Sequence, residues 1–191
     1  HAWLEDLLAG LSGGPQTGSG AGWFTAQQAL THPDTISIAA ISGVAAGGGA
    51  ELGWACDLRI AEAQATFSQP EVDLGLTTGI GGCSRLTRLV GRSMATEMGL
   101  TGEPQAAQKL YDLGAINRVV PTGQALSCAI EMASSLAAKS IDATRGLKQI
   151  LNDADEHFLK ASLENEQAIF QSVITTPGAL QGMSNRQAQD M

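Results

Sequence analysis

Apolar side chains recur at positions 3, 4, 7, 8 and 11. This helical spacing predicts an amphipathic helix over Trp3–Leu11. The stretch that follows, Ser12-Gly-Gly-Pro-Gln-Thr-Gly-Ser-Gly-Ala-Gly22, offers no core-forming side chain and reads as a loop or linker. A short helix over Trp23–Leu30 is expected to end at His32-Pro33-Asp34, because the residue before a proline is pushed out of the helical region. Ile36–Ile41 is a short, β-branched, mostly apolar run and predicts a buried strand. A glycine-rich turn, Gly43–Gly49, and a helix over Ala50–Cys56 come next. Asp57–Ala61 and Ala65–Ser68 read as two more strands. From Gly81 onward the pattern is helical, over about 82–90, 92–100, 104–113, 124–138, 141–152 and 155–172, with Val119-Val120-Pro121 as an extended interruption. Apolar or small residues at 154, 158, 161, 163, 169, 170 and 173 suit a packing helix near the C-terminus. Strands cluster early and helices late, which predicts a mixed α/β fold.

Composition narrows this picture. The chain has 191 residues, 43% of them hydrophobic and 16% charged, with 23 glycines. That is enough to bury a core without disulfides or a structural metal. Eleven basic residues against 19 acidic ones give a net charge of −8, which provides no general footprint for nucleic acid. Arg85, Arg88 and Arg92 share helical spacing, as a solvated helix face or as a site for one anion. Cys56, Cys83 and Cys128 form no CxxC pair, and His1, His32 and His157 have no metal-ligand spacing. No metal site is expected. No apolar run reaches the roughly 18 residues of a membrane span, and no signal peptide is visible behind His1. The expectation is a reduced, cytoplasmic protein with no membrane or nucleic-acid partner.

The most informative local feature is Gly47-Gly48-Gly49, between a strand and a helix. Glycine lets a backbone approach a ligand closely. The first N–H groups of the helix have no internal acceptor and sit at its positive end. Such a turn suits an anion or a developing oxyanion. It equally suits close helix–strand packing through small residues. Neither phosphate motif fits: no Lys follows as a P-loop requires, and no glycine cluster matches GxGxxG. Glu51 lies one turn into the helix, and Glu71 follows Pro70 just beyond the strand Ala65–Ser68. Two carboxylates beside such a turn can hold a water and divide acid and base roles. Each is also compatible with an ordinary cap or surface position.

Several segments then agree in order and spacing with one known family. Ile38-Ala-Ala-Ile-Ser-Gly-Val-Ala-Ala-Gly-Gly-Gly-Ala-Glu-Leu52, Ala55-Cys-Asp-Leu-Arg-Ile-Ala61 and Phe67-Ser-Gln-Pro-Glu-Val-Asp-Leu-Gly75 resemble the core signature of the enoyl-CoA hydratase/isomerase (crotonase) family. Gly79-Ile-Gly-Gly-Cys-Ser-Arg-Leu-Thr-Arg-Leu-Val-Gly91, Glu97-Met-Gly-Leu-Thr-Gly102 and Gly114-Ala-Ile-Asn-Arg-Val-Val-Pro121 continue the resemblance. It implies a crotonase-like (ClpP/crotonase) fold of stacked ββα units with a helical C-terminal region. The core would span 1–138, and 139–191 would form a helical trimerisation region. The implied activity is hydration of a 2-enoyl-CoA to a 3-hydroxyacyl-CoA. A non-catalytic acyl-CoA-binding homologue and an enoyl-CoA isomerase are the alternatives.

The resemblance also implies the parts of the site. The Gly48 N–H would be one oxyanion donor, and Glu51 and Glu71 would be the water-activating pair. Gly47, Gly79 and Trp23 would contact substrate. Coenzyme A would enter only as part of the thioester, with no permanently bound cofactor. A homotrimer or homohexamer is implied. Two departures stand out. Only 35 residues precede Ile36, fewer than the family carries, so the N-terminal third is shortened or part of it is left out of this chain. Ala21-Gly22-Trp23 would then be the remnant of the first oxyanion motif, with the Trp23 N–H as donor. The second departure is Thr78, where the family commonly has proline before the pocket glycine.

Overall fold

The computed structural model describes residues 21–156 together with Pro177. The helix expected over Trp3–Leu11 and the one over 155–172 lie outside the described residues, apart from the first two positions of the latter. Contacts divide the chain into two units. One comprises the described residues up to His32 and Ser37–Leu126, and the other comprises Pro33–Ile36 and the residues from Ser127 onward.

In the first unit, the short apolar runs become strands and the glycine-containing segments become the turns between them. The helix α1 (Ala21–Leu30) leads to β1 (Ile38–Ile41), β2 (Val44–Ala46) and α2 (Gly48–Ala55). The pattern then repeats as β3 (Leu58–Glu62), β4 (Thr66–Ser68), a 3-10 turn (Pro70–Leu74) and α3 (Gly82–Thr101). After it come β5 (Gln105–Ala106), α4 (Ala107–Asp112) and β6 (Arg118–Val120), and the chain continues into α5 (Ala125–Ala137), most of which belongs to the second unit. Two successive ββα units are therefore visible. First strands collect in one parallel sheet of order β1-β3-β6, and second strands in another of order β2-β4-β5. Ile38 pairs with Leu58 in the first sheet and Ala46 with Ser68 in the second. The repeat unit carries the crotonase-like architecture that the sequence resemblance implies.

Two differences from the sequence reading have local causes, and one expected break is found. Val44–Ala46 is a strand rather than part of a turn, because its pairing with β4 outweighs its glycine-rich setting. The helix expected from 104 starts at Ala107, since Gln105 and Ala106 pair antiparallel with β4. The break expected at Gly91 is present, with a backbone φ of 77° inside α3 that only glycine adopts without strain.

The core of this unit is built from Trp54, Phe67, Leu86, Met98, Leu110 and Ile116, all nearly inaccessible to water. It fixes α2, a helix too short to be stable alone. Trp54 packs on Phe67 with ring centroids 5.3 Å apart. The buried Arg59 closes the other end of α2: its guanidinium donates to the carbonyls of Gly53 and Cys56, and Nε donates to Ala115 O at 2.6 Å. A cation at a helix C-terminus is favoured by the exposed carbonyls and the helix dipole. Burial pulls the Arg59 guanidinium below its ordinary value, with nearby Cys56 and Asp57 opposing that shift. At the start of α5, Glu62 Oε1 accepts from Ala125 N–H. Hydrogen bonds, foremost from the Gly123 backbone and then from Gln64, hold the Glu62 carboxyl below the usual carboxylate range.

In the second unit, α6 (Ile141–Glu156) is tied to the Pro33–Ile36 segment. Lys148 Nζ, buried, donates to Thr35 O at 2.7 Å, and Arg145 Nε lies 3.2 Å from Asp34 Oδ1. No helix among the described residues is long and apolar enough to cross a membrane.

Candidate active site

The parallel pairing of β2 with β4 determines where the two glutamates go. Ala46 and Ser68 are register partners at the ends of these strands, so the segments that follow leave the sheet side by side. The Gly47 N–H donates to Ser68 O at 3.1 Å and ties the two exits together. Beyond Ala46 the chain turns through Gly47 into α2, which carries Glu51 in its first turn. Beyond Ser68 it passes Gln69 and enters the 3-10 turn, where Pro70 precedes Glu71. A separation of 20 residues in sequence thus becomes proximity in space.

Gly47 is required here twice over. Its φ of 54° and ψ of −128° suit glycine, and a Cβ on it would lie 3.1 Å from Glu71 Oε1. The Trp23 indole covers the next residue: a Cβ on Gly48 would meet its ring at 3.0 Å. The N–H groups opening α2 have no acceptor within the helix.

The structure brings all six sequence-derived candidates together on one cavity of about 520 Å³. Trp23, Gly47, Gly48, Glu51, Glu71 and Gly79 line it, together with Phe24, Val44, Ala46, Gly49, Pro70, Leu74, Leu76 and Ile80. This size is within the range of small-molecule sites. Its walls are apolar except for the two carboxylates, which lie close enough to influence one another. A Cβ on Gly79 would meet nothing within 4 Å, so that glycine leaves open space in the cavity.

The two carboxylates are held differently. Glu51 is 4% exposed, and its Oε1 accepts two backbone hydrogen bonds, from Ile80 N–H at 3.0 Å and Gly82 N–H at 2.8 Å. Glu71 is half-buried, and its Oε2 has no partner among the described residues. Desolvation by burial raises the Glu71 pKa above the usual carboxylate value. The charge of Glu51 adds to the rise, and a hydrogen bond from Glu71's own backbone opposes it.

Sequence reasoning missed the residues that hold Glu51. Gly82 is the clearest: a Cβ there would lie 2.8 Å from both Glu51 Cγ and Oε1, and 2.9 Å from Thr78 Cγ2. Its signal in the sequence is the second glycine of Gly81-Gly82, which follows no phosphate-binding pattern. Thr78, read as a departure from the family, accepts from Cys83 N–H at 3.3 Å and so caps the start of α3 in place of Gly81, which has no side chain to do so. The arginines do not converge on an anion. Arg85 Nη1 donates to Ile80 O, Arg88 Nη1 donates to Ser84 O, and the helical spacing to Arg92 is broken at Gly91. Among the described residues no cluster of His, Cys, Asp and Glu could hold a metal ion.

Comparison with known proteins agrees with this architecture. The family model for enoyl-CoA hydratase/isomerase matches residues 4–187. The probable enoyl-CoA hydratase echA8 of Mycobacterium bovis is 37% identical over 164 residues, covering 86% of this chain and 64% of that protein. The 2,3-dehydroadipyl-CoA hydratase of Escherichia coli K12 is 38% identical over 147 residues, covering 77% of this chain and 58% of that protein. The chain thus spans less than two thirds of the length of these two relatives. The crystal structure of an enoyl-CoA hydratase from Polaromonas sp. JS666 superposes with a TM-score of 0.89 at 32% identity, over 97% of this chain and 73% of that one. An enoyl-CoA hydratase from Bacillus anthracis superposes with a TM-score of 0.83 at 33% identity, over 87% and 65%. With its paired ββα units and a family match over nearly its whole length, the chain belongs to the enoyl-CoA hydratase/isomerase family and has the crotonase fold.

Proposed function

We propose that this protein hydrates 2-enoyl-CoA thioesters, adding water across C2–C3 on one face to give a 3-hydroxyacyl-CoA. The observation that carries this reading is the pair of carboxylates in one apolar cavity, beside a glycine turn that opens a helix. The double bond must be conjugated to the thioester, because the electron pair displaced as water attacks C3 has to reach the carbonyl oxygen. The Gly48 N–H is the oxyanion donor that meets that charge. One such donor is typically worth about 10²- to 10³-fold in rate. Trp23 is the other candidate donor from α1, and Gly47 and Gly79 shape the space for the thioester and the water.

The environments divide the proton work. Glu51 Oε1 is committed to two N–H donors, which leaves Oε2 to meet the water and take its proton as the oxygen bonds to C3. Glu71, whose carboxyl holds its proton more tightly than usual, delivers a proton to C2 as the enolate collapses. The proton left on Glu51 and the one lost by Glu71 are re-exchanged through solvent before the next turnover. Two carboxyl groups held in different environments within one site are a recurrent way to run acid and base chemistry together. Coenzyme A enters only within the substrate in this reading.

Assembly belongs to the same proposal. Leu147 and Leu151 lie exposed one turn apart on α6. They support a homotrimer or homohexamer in which residues 139–191 contribute contacts between subunits, outside a core that spans 1–138. The test of function is loss of the conjugated thioester absorbance of crotonyl-CoA, with the product identified by mass as 3-hydroxybutyryl-CoA. Binding of crotonyl-CoA without any product would favour an acyl-CoA-binding role. Conversion to a positional isomer without added water would favour an isomerase.

A further inference from the structure

The loop that holds Glu51 has no sheet or helix of its own. Residues 76–81 carry no regular secondary structure, yet the two N–H groups on which Glu51 Oε1 depends come from this loop and its junction with α3. Gly81, with a φ of 99° and a ψ of 17°, turns the chain between them, so that the Ile80 and Gly82 N–H groups meet one oxygen. Neighbouring N–H groups turned inward by a left-handed residue form a concavity that binds an anion. Such a concavity keeps its shape only while the backbone between the two N–H groups is held.

Between them lies the Ile80 carbonyl, and two side chains hold it. Arg85 Nη1, from the first turn of α3, donates to it at 2.9 Å. Gln27 Nε2, from α1, donates to it as well. Both lie against the bare side of Gly81, where a Cβ would strike the Arg85 guanidinium and stand 3.5 Å from Gln27 Nε2. Arg85 belongs to the helix that this loop opens. Gln27 lies 53 residues earlier and ties the loop to a separate element. Four residues separate Gln27 from Trp23, which puts both on one face of α1. That face therefore touches the loop behind Glu51 through Gln27 and the glycine turn at Gly48 through Trp23. Trp23 lines the cavity, whereas Gln27 does not.

We propose that Gln27 is a positioning residue for Glu51, acting through the Ile80 carbonyl that it holds together with Arg85. Its catalytic consequence rests on the hydratase reading, in which Glu51 Oε2 meets the water. The two N–H groups on Glu51 Oε1 flank the Ile80–Gly81 peptide, so rotation of that peptide moves both donors at once. An amide donor on its carbonyl opposes the rotation. Without Gln27 the carbonyl keeps only Arg85, which is anchored in the helix start that the same loop leads into and can move with it. Misplacing a reacting group by about 1 Å costs on the order of 10²-fold in rate. With Arg85 still in place, the loss expected on removing Gln27 is smaller than that.

The test compares the whole protein with Gln27→Met, which keeps nearly the same side-chain length and removes the amide. Hydrogen exchange at the Ile80 and Gly82 amides is expected to quicken about tenfold, with exchange in the central strand β3 unchanged. With crotonyl-CoA, kcat should fall about tenfold at unchanged KM. In a Glu51→Gln background the same substitution should cost no more than about twofold, because no base remains to be positioned. Gln27→Ala is expected to give the same pattern and serves if Gln27→Met does not fold. Unchanged exchange at both amides in both variants overturns the proposal. So does quicker exchange with undiminished turnover in an active enzyme. An equal loss of kcat with and without Glu51 also overturns it, since Gln27 would then only support α1. Quicker exchange in a protein that hydrates no enoyl-CoA would uphold the Gln27–Ile80 link and overturn the hydratase reading alone.

Discussion

Glu51 and Glu71 line the same cavity from neighbouring strand exits, yet they are built to different rules. Glu51 stands on a helix pinned at both ends. Its carboxylate is caught by the Ile80 and Gly82 N–H groups, and the far end of its helix is closed by the buried Arg59. Glu71 stands on a five-residue 3-10 turn, half-exposed, with one carboxylate oxygen unpaired among the described residues. Rigid hydrogen bonding suits a group that must always present the same oxygen to a water. Desolvation with few partners suits a group that must hold a proton and release it. The contrast shows how one fold gives two identical side chains different environments by changing the backbone around them.

The contrast can be broken most severely at its rigid side. Glu51→Gln removes the proposed base and is expected to lower kcat by about 10²- to 10⁴-fold, read from crotonyl-CoA turnover at saturating substrate. Gly82→Ala attacks the same group indirectly, because its Cβ would enter the space of Glu51 Cγ and Oε1 at 2.8 Å. A displacement of that kind is expected to cost on the order of 10²-fold in kcat, with acyl-CoA affinity little changed. Calorimetric titration with a non-reactive acyl-CoA would separate the two effects.

Arg59→Met probes the frame under Glu51. It leaves the carbonyls of Gly53, Cys56 and Ala115 without this donor, and a loss of about 2 kcal/mol in urea unfolding is expected. The smallest effect lies on the soft side. The folded-state pKa of Glu71 is raised, so its contribution to stability is complete below the unfolded value of 4.5 and is lost as the pH rises through the folded value. Glu71→Gln should remove that loss and leave the variant slightly more stable than the wild type above this window. Solvent screening at a half-exposed group keeps the gain under about 1 kcal/mol. Melting temperatures across the acid-to-neutral range would register it.

What could be read from the sequence follows the same division. The glycine turn, Glu51 and Glu71 carried a strong pattern because a strand, a backbone turn and a carboxylate must follow in fixed order for the site to exist. The strand Ile38–Ile41 was legible because β-branched residues suit a pleated sheet, although it is half-buried rather than buried as its apolar run suggested. The strand Val44–Ala46 was not, since three small residues among glycines have no period of their own and become a strand only through pairing with β4. Gly82 was visible only as the second glycine of Gly81-Gly82, and its role was hidden for a related reason: what it must fit against is a side chain 31 residues away. Arg59 falls within the strand read over Asp57–Ala61 with nothing to mark it, and only burial gives it meaning.

The most direct test of the account is crotonyl-CoA hydration by the wild type set against Glu71→Gln, followed by loss of thioester conjugation at matched binding. The account predicts measurable hydration in the wild type and a loss of at least about 10²-fold in the variant, with crotonyl-CoA affinity retained. Equal turnover in the two proteins would contradict it, because the carboxyl built to hold the proton would then have no part in delivering it.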